Sequence, residues 1–142
     1  MILKQTGKLA PINEPWNILR DAINDLELQE QTEGVEISMI MWHEPDNGVC
    51  YQCLAGCVMS RRLGVDLEID YNPFSVHFNP NEEAILKFLD AIRVGYVSEG
   101  LKYLNIDFNI KNINVTSYDE DPELFKYEMR DIADMLEREL KD

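Results

Sequence analysis

The chain has 142 residues, 45% of them apolar, and 27 acidic against 13 basic residues give it a formal net charge of −14. That length and apolar content suffice for one domain, spanning residues 1–142, with a core that needs no disulfide or metal staple. The charge is spread evenly, with 12 acids and 5 bases in residues 1–71 and 15 and 8 in residues 72–142. Direct binding to nucleic-acid backbones or anionic membranes through a bulk field is therefore disfavoured.

Residues 1–12 contain no long apolar run and read as a loose or strand-like lead. No segment approaches the roughly 18 apolar residues that span a membrane, and a cytoplasmic location is expected. Without a signal peptide, three cysteines point to reduced thiols, and Asn114-Val115-Thr116 is expected to stay unglycosylated. A first helix is predicted over 14–31, with Asn13 as its cap, Pro15 in its first turn and Trp16, Leu19, Ile23 and Leu26 at helical spacing. Its acids Asp21, Asp25, Glu27 and Glu30 fall mostly off that stripe, as a solvated face does.

From Val35 the period becomes two, which predicts a strand over 35–42 that ends at the turn signal Glu44-Pro45-Asp46-Asn47-Gly48. The next stretch, 49–63, holds all three cysteines and reads as a buried helix, with Cys50, Cys53, Leu54, Cys57 and Met59 at offsets of three, four and seven. Free cysteine in such a place acts as a small hydrophobe, so no metal or other cofactor is expected. The alternative is a metal- or ligand-binding protein built on this helix, with His43, Cys50, Cys53 and Cys57 as ligands. Three ligands along one buried helix do not have the usual spacing of a zinc site. His43-Glu44 followed by Cys50 and Cys53 also lacks the His-x-Glu and downstream Pro-Cys-x-x-Cys of zinc deaminases, and no strand leads into Cys50-x-x-Cys53 as a thioredoxin-like motif requires.

After Leu63-Gly64, Val65, Leu67 and Ile69 alternate with Asp66, Glu68 and Asp70, which predicts a strand over 65–70 with an acidic outer row. Tyr71-Asn72-Pro73 reads as a turn, Phe74, Val76 and Phe78 as a short extended piece, and His77 as a surface or hydrogen-bonded histidine. Asn79-Pro80-Asn81-Glu82 is a capping box that opens a helix over 80–95, which 98–103 extends as a short second helix. Leu104, Ile106, Phe108 and Ile110 alternate strictly with polar residues, and Ile113 and Val115 resume the pattern after a shift. Strands over 104–110 and 113–117 follow, either as a hairpin or as one bulged strand. The last helix, 122–140, has Phe125, Met129, Ile132, Leu136 and Leu140 inward, with Asp134 and Arg138 as a supporting pair. The acids Asp119, Glu120 and Asp121 suit the electropositive start of that helix.

The run Glu36-Ile37-Ser38-Met39-Ile40-Met41-Trp42, then Gly48-Val49-Cys50 and Cys53-Leu54-Ala55-Gly56, resembles a pattern in small uncharacterised proteins of bacteriophages and their hosts. In that pattern a Met-x-x-Trp segment precedes a Cys-Gly-Thr or similar turn and a Cys-(Ile/Leu)-Ala-Gly helix. It covers about 25 residues, the tripeptide Cys-Gly-Thr is missing here, and the resemblance implies no activity.

No Gly-x-Gly-x-x-Gly, Gly-x-x-x-x-Gly-Lys or Gly-x-Ser-x-Gly occurs, and nothing selects a catalytic pair among the acids. The expected fold is α+β and helix-rich, with a central cysteine helix, three amphipathic helices and a small, mostly antiparallel sheet. The expected function is non-catalytic. An acidic surface made of Asp66, Glu68 and Asp70, of Asp119, Glu120 and Asp121, and of Glu128, Asp131 and Asp134 imitates a phosphate backbone and binds a basic host protein, as an inhibitor would.

Overall fold

The computed structural model describes residues 1–71 and 78–142, and it is a helix-rich α+β domain. Helix α1 runs over Pro15–Glu30, with proline at its first position and Leu19, Ala22, Ile23 and Leu26 fully buried. Glu14 rather than Asn13 takes the cap position, and no side chain caps it. Of the acids expected to be solvated, Asp25 is fully buried on this helix.

The sheet has three short strands, β1 (Val35–Ile37), β2 (His43–Asp46) and β3 (Val49–Gln52), in the order β1-β3-β2. It is mixed rather than mostly antiparallel. β1 lies parallel to β3, with Val35 opposite Cys50, and β2 lies antiparallel to β3, with Asp46 opposite Val49. Asn47 and Gly48 form the two-residue hairpin loop, with φ of 51° and 83°. Two consecutive positive φ values make this a type I′ turn, whose twist suits a hairpin and which Asn-Gly adopts most readily.

The predicted helix 49–63 is therefore corrected at its start. Residues 49–52 are strand, Cys53 is the cap position, and helix α2 spans Leu54–Arg62. Cys50 sits on β3 and only Cys57 lies within the helix, so the three sulfurs do not share one helical stripe. Gly56 marks the closest approach of the hairpin lead-in to α2, because a Cβ there would lie 1.8 Å from the Trp42 carbonyl oxygen.

Helix α3 (Pro80–Ile92) opens on the expected capping box. The Asn79 side chain accepts from the Glu82 amide and Glu82 accepts from the Asn79 amide. Helix α4 (Val97–Tyr103) follows a Gly95 turn, and helix α5 (Pro122–Leu140) starts where Asp121 accepts from the Leu124 amide. The most extensive helix pairing joins α1 to α5. Its seam carries ion pairs from Arg20 to Asp134 at 2.7 Å and to Glu137 at 3.0 Å. Asp134 thus pairs across the seam with Arg20, where the sequence suggested Arg138 on its own helix.

Four strand expectations need correction. The strand predicted at 35–42 ends at Ile37, and residues 65–70 form no strand but an irregular segment with a turn at Leu67-Glu68, with Val65 and Leu67 buried and Glu68, Ile69 and Asp70 exposed. Residues 104–110 and 113–117 belong to no sheet. They form an extended strap whose burial does alternate, Leu104, Ile106, Phe108 and Ile110 lying inward and Asn105, Asp107 and Asn109 outward. The Ser98 hydroxyl holds the strap by bonding the Phe108 and Ile110 carbonyls and the Ile110 amide, and the Ile113 amide donates to Gly95. The turn at Tyr71-Asn72-Pro73, the extended piece from Phe74 and the reading of His77 lie in whole or part outside the described residues.

The core is continuous across α1, α2, α3, α4 and α5. No helix among the described residues is long and apolar enough to cross a membrane.

Candidate functional site

The β-hairpin and α2 bring together the polar side chains that chemistry would need. His43, Gln52 and Ser60 are fully buried and form one directed chain of hydrogen bonds with Gln29 of α1. The Arg61 guanidinium donates to Gln29 Oε1 at 2.7 Å, Gln29 Nε2 to Gln52 Oε1 at 2.8 Å, and Gln52 Nε2 to Ser60 Oγ at 2.8 Å. Ser60 then donates to His43 Nε2 at 3.0 Å, and His43 Nδ1 donates to the Ile69 carbonyl at 2.7 Å. A carbonyl accepts only, which assigns the proton to Nδ1 and leaves Nε2 as the acceptor.

Ser60 and His43 stand in the relation of nucleophile to base, but both are sealed from solvent and the hydroxyl already has a donor and an acceptor. Burial pulls the His43 pKa down from its usual range, against the Ile69 carbonyl, which favours the charged ring. The chain ties α1, α2 and the hairpin together, and among the described residues every buried side-chain nitrogen and oxygen has a hydrogen-bond partner.

The four residues named as possible metal ligands do not converge. Cys50 Sγ lies 3.6 Å from His43 Nδ1 and 3.7 Å from Nε2, equidistant from two nitrogens whose in-plane directions are already occupied. Cys53 Sγ faces the Trp42 carbonyl at 3.9 Å, and Cys57 is fully buried in the apolar core. Among the described residues, no three His, Cys, Asp or Glu side chains are grouped as a metal ion requires. All three cysteines are free thiols. Burial pushes Cys53 up to about 11, Cys57 well above its usual value and Cys50 upward, the reverse of an activated thiol.

The acidic candidates separate into distinct groups. Asp66 accepts from the N-terminal amine of Met1 at 2.7 Å and from the Glu68 amide, and Glu68 lies 3.8 Å from the same amine. Asp70 is exposed beside them in sequence, but with no strand there the three do not form a row. On α5, Glu128 accepts from the Thr116 amide of the strap, Asp131 is exposed, and Asp134 is held by Arg20.

Around the start of α5 the charges gather. Asp119, Glu120 and Asp121 are exposed, and the next turn adds Glu123. The Tyr118 hydroxyl donates to Glu30 of α1, and burial followed by that carboxylate pushes its pKa well up. Lys126, nearly buried, meets three carboxylates at once, Glu30 at 2.8 Å, Glu123 at 2.9 Å and Glu27 at 3.9 Å, and Arg130 also pairs with Glu27. Burial works against the Lys126 ammonium, and the bonds from Glu30 and Glu123 outweigh it. Two cations among Glu27, Glu30, Asp119, Glu120, Asp121 and Glu123 leave this edge negative. The α1 acids escaped sequence reading because their distance in sequence from α5 hides the pairing. The solvated-face pattern of α1 was the available signal.

The chain matches no protein-family model, and no curated protein or solved structure matches it.

Proposed function

We propose that this is a non-catalytic interaction protein that docks its acidic surface onto a basic protein, with the α1–α5 edge as the centre of contact. The observation that carries this reading is the arrangement at Lys126, where one buried ammonium serves three carboxylates and the neighbouring Asp119 and Glu120 remain exposed. Internal ion pairs take up the cations of this edge, so its outward field is negative and attracts a positively charged partner over about a Debye length of roughly 8–10 Å. The burial of Ser60 and His43 and the raised thiols support a role without catalysis. The resemblance to small phage proteins supports a host protein, such as a nucleic-acid-binding one, as the partner, and the protein would then act in the host cytoplasm as an inhibitor that mimics nucleic acid.

The test is capture of partners from host lysate by the immobilised protein at low and at moderate salt, beside a variant with Asp119→Asn, Glu120→Gln and Glu123→Gln. Salt-sensitive capture of a basic protein that the variant loses supports the reading. Equal capture by both proteins, or none at low salt, refutes it.

A further inference from the structure

A second surface lies away from the ion-pair edge in the fold, between α3 and α4 and against the loop that leads into β2. It is a groove of about 490 Å³ walled by Trp42, Ala91, Val94, Tyr96 and Tyr103. Val94 is 42% exposed, Tyr96 43% and Tyr103 49%, so three large side chains are half open to water in one place. Tyr96 stands at the N-cap of α4 and Tyr103 is its last residue, and both line the groove. Tyrosine and tryptophan combine large apolar area with few rotatable bonds, which makes them the commonest anchors of protein interfaces.

The charges of the groove narrow the occupant. Its two cations are already matched, Lys87 by Glu83 at 2.7 Å and Arg93 by Asp90 at 2.8 Å, and Lys87 Nζ also lies 5.9 Å above the Tyr103 ring. Glu99, exposed on the rim, has no basic nitrogen within ion-pair distance among the described residues. The groove thus offers apolar walls and one spare negative charge on a molecule of net charge −14. A second copy of the chain or a nucleic acid would meet electrostatic repulsion, whereas a segment that is both apolar and positive meets none.

We infer that this groove receives a cationic amphipathic segment of the partner, which seats an apolar side chain against Trp42, Tyr96 and Tyr103 and places a Lys or Arg near Glu99. This deepens the proposed function: the acidic edge supplies long-range attraction, and the groove supplies the short-range anchor.

The intact protein is titrated with three synthetic helical peptides, one with Leu and Lys faces, one with Leu and Glu faces and one with Ser and Lys faces. Tryptophan emission reports on the groove, because Trp42 lines it and Trp16 is buried elsewhere. The Leu/Lys peptide is expected to bind and shift the emission. The double variant Tyr96→Ala, Tyr103→Ala, checked for unchanged helicity, is expected to bind it about tenfold more weakly or worse at both about 20 mM and about 150 mM salt. The Ser/Lys peptide is expected to bind only at the lower salt, and the Leu/Glu peptide not at all.

If wild type and double variant bind the Leu/Lys peptide equally, with steep salt dependence, the groove assignment falls while the acidic edge stands. If the Leu/Glu peptide binds as well as Leu/Lys, charge plays no part in the groove and the inference falls. If sedimentation finds a dimer that the double variant abolishes, a second copy is the occupant. If no peptide binds even at low salt, the groove assignment falls, and the capture experiment decides the acidic edge separately.

Discussion

Gly56→Ala separates what local propensity predicts from what packing predicts. In an open helix, alanine in place of glycine stabilises by about 1 kcal/mol. At position 56 the added Cβ would lie 1.8 Å from the Trp42 carbonyl oxygen, 3.0 Å from its carbon and 3.1 Å from Gln52 Cβ. Normal carbon–oxygen contact is about 3.3 Å or more, so helix and lead-in must separate by more than an ångström, and the obstacle is backbone, which cannot rotate away. The displacement falls on the residue before His43 and opposite the Cys53 sulfur that faces the same carbonyl, so it also loosens the buried hydrogen-bond chain. Overpacking costs roughly 1–3 kcal/mol, and a strained buried hydrogen bond adds about 1 kcal/mol. After the propensity gain is subtracted, a net loss of about 2 kcal/mol remains. With a urea slope of about 2 kcal/mol per molar, the unfolding midpoint should fall by about 1 M. An unchanged or raised midpoint with an unchanged slope would refute the close approach of Trp42 to α2.

Arg62 donates from Nε to Asp25 at 2.8 Å and from a second nitrogen at 3.2 Å, and Asp25 is fully buried. Arg62→Met should therefore cost about 3–5 kcal/mol in urea unfolding, and adding Asp25→Asn should restore part of it, since the charge left behind causes most of the loss. For His43, burial lowers the folded pKa, so below the usual value of 6.5 the unfolded state binds a proton that the folded state refuses. Stability should be full above about pH 6.5 and fall as pH drops below it, by at most about 1.4 kcal/mol per pH unit, and His43→Gln should flatten that slope. Thiol labelling at pH 8 should be slow for all three cysteines and should track unfolding. One fast-reacting native cysteine, or close to one zinc per chain by elemental analysis, would contradict the buried-thiol arrangement and revive the His43, Cys50, Cys53 and Cys57 ligand set.

The helices were legible because their signals are local. Proline openings at Pro15, Pro80 and Pro122 and the Asn79–Glu82 box act within one turn, and the apolar stripes of α1, α3 and α5 repeat often enough to define a face. The cysteine stretch misled because Cys50, Cys53 and Cys57 happen to fall at helical spacing. The Asn47-Gly48 pair just before it was the stronger signal, and Val49-Cys50-Tyr51-Gln52 continues from that turn as the second arm of a hairpin. For residues 104–110 the alternation gave the burial of each side chain correctly but said nothing of the strap's backbone partners, which come from Ser98, Gly95 and Glu128. Of the acidic candidates, Asp119, Glu120 and Asp121 gather beside Glu123 at the start of α5, and Glu27 and Glu30 join this edge only through the docking of α5 on α1. Such a long-range encounter leaves no local pattern.

The seam between α1 and α5 also constrains synthesis. Arg20 meets Asp134, 114 positions further along the chain, and Leu19, Ile23 and Leu26 share one core with Phe125, Met129 and Leu136. While the chain emerges from the ribosome, α2 and α3 can cover part of α1, but the side that α5 takes stays uncovered until residues 122–140 have been made. The domain closes only in a late step, and a ribosome stalled before α5 would carry a nascent chain whose exposed leucines and isoleucines invite chaperones or proteases. Emergence of α5, rather than passage of the earlier helices, would be the event that closes this side of the core.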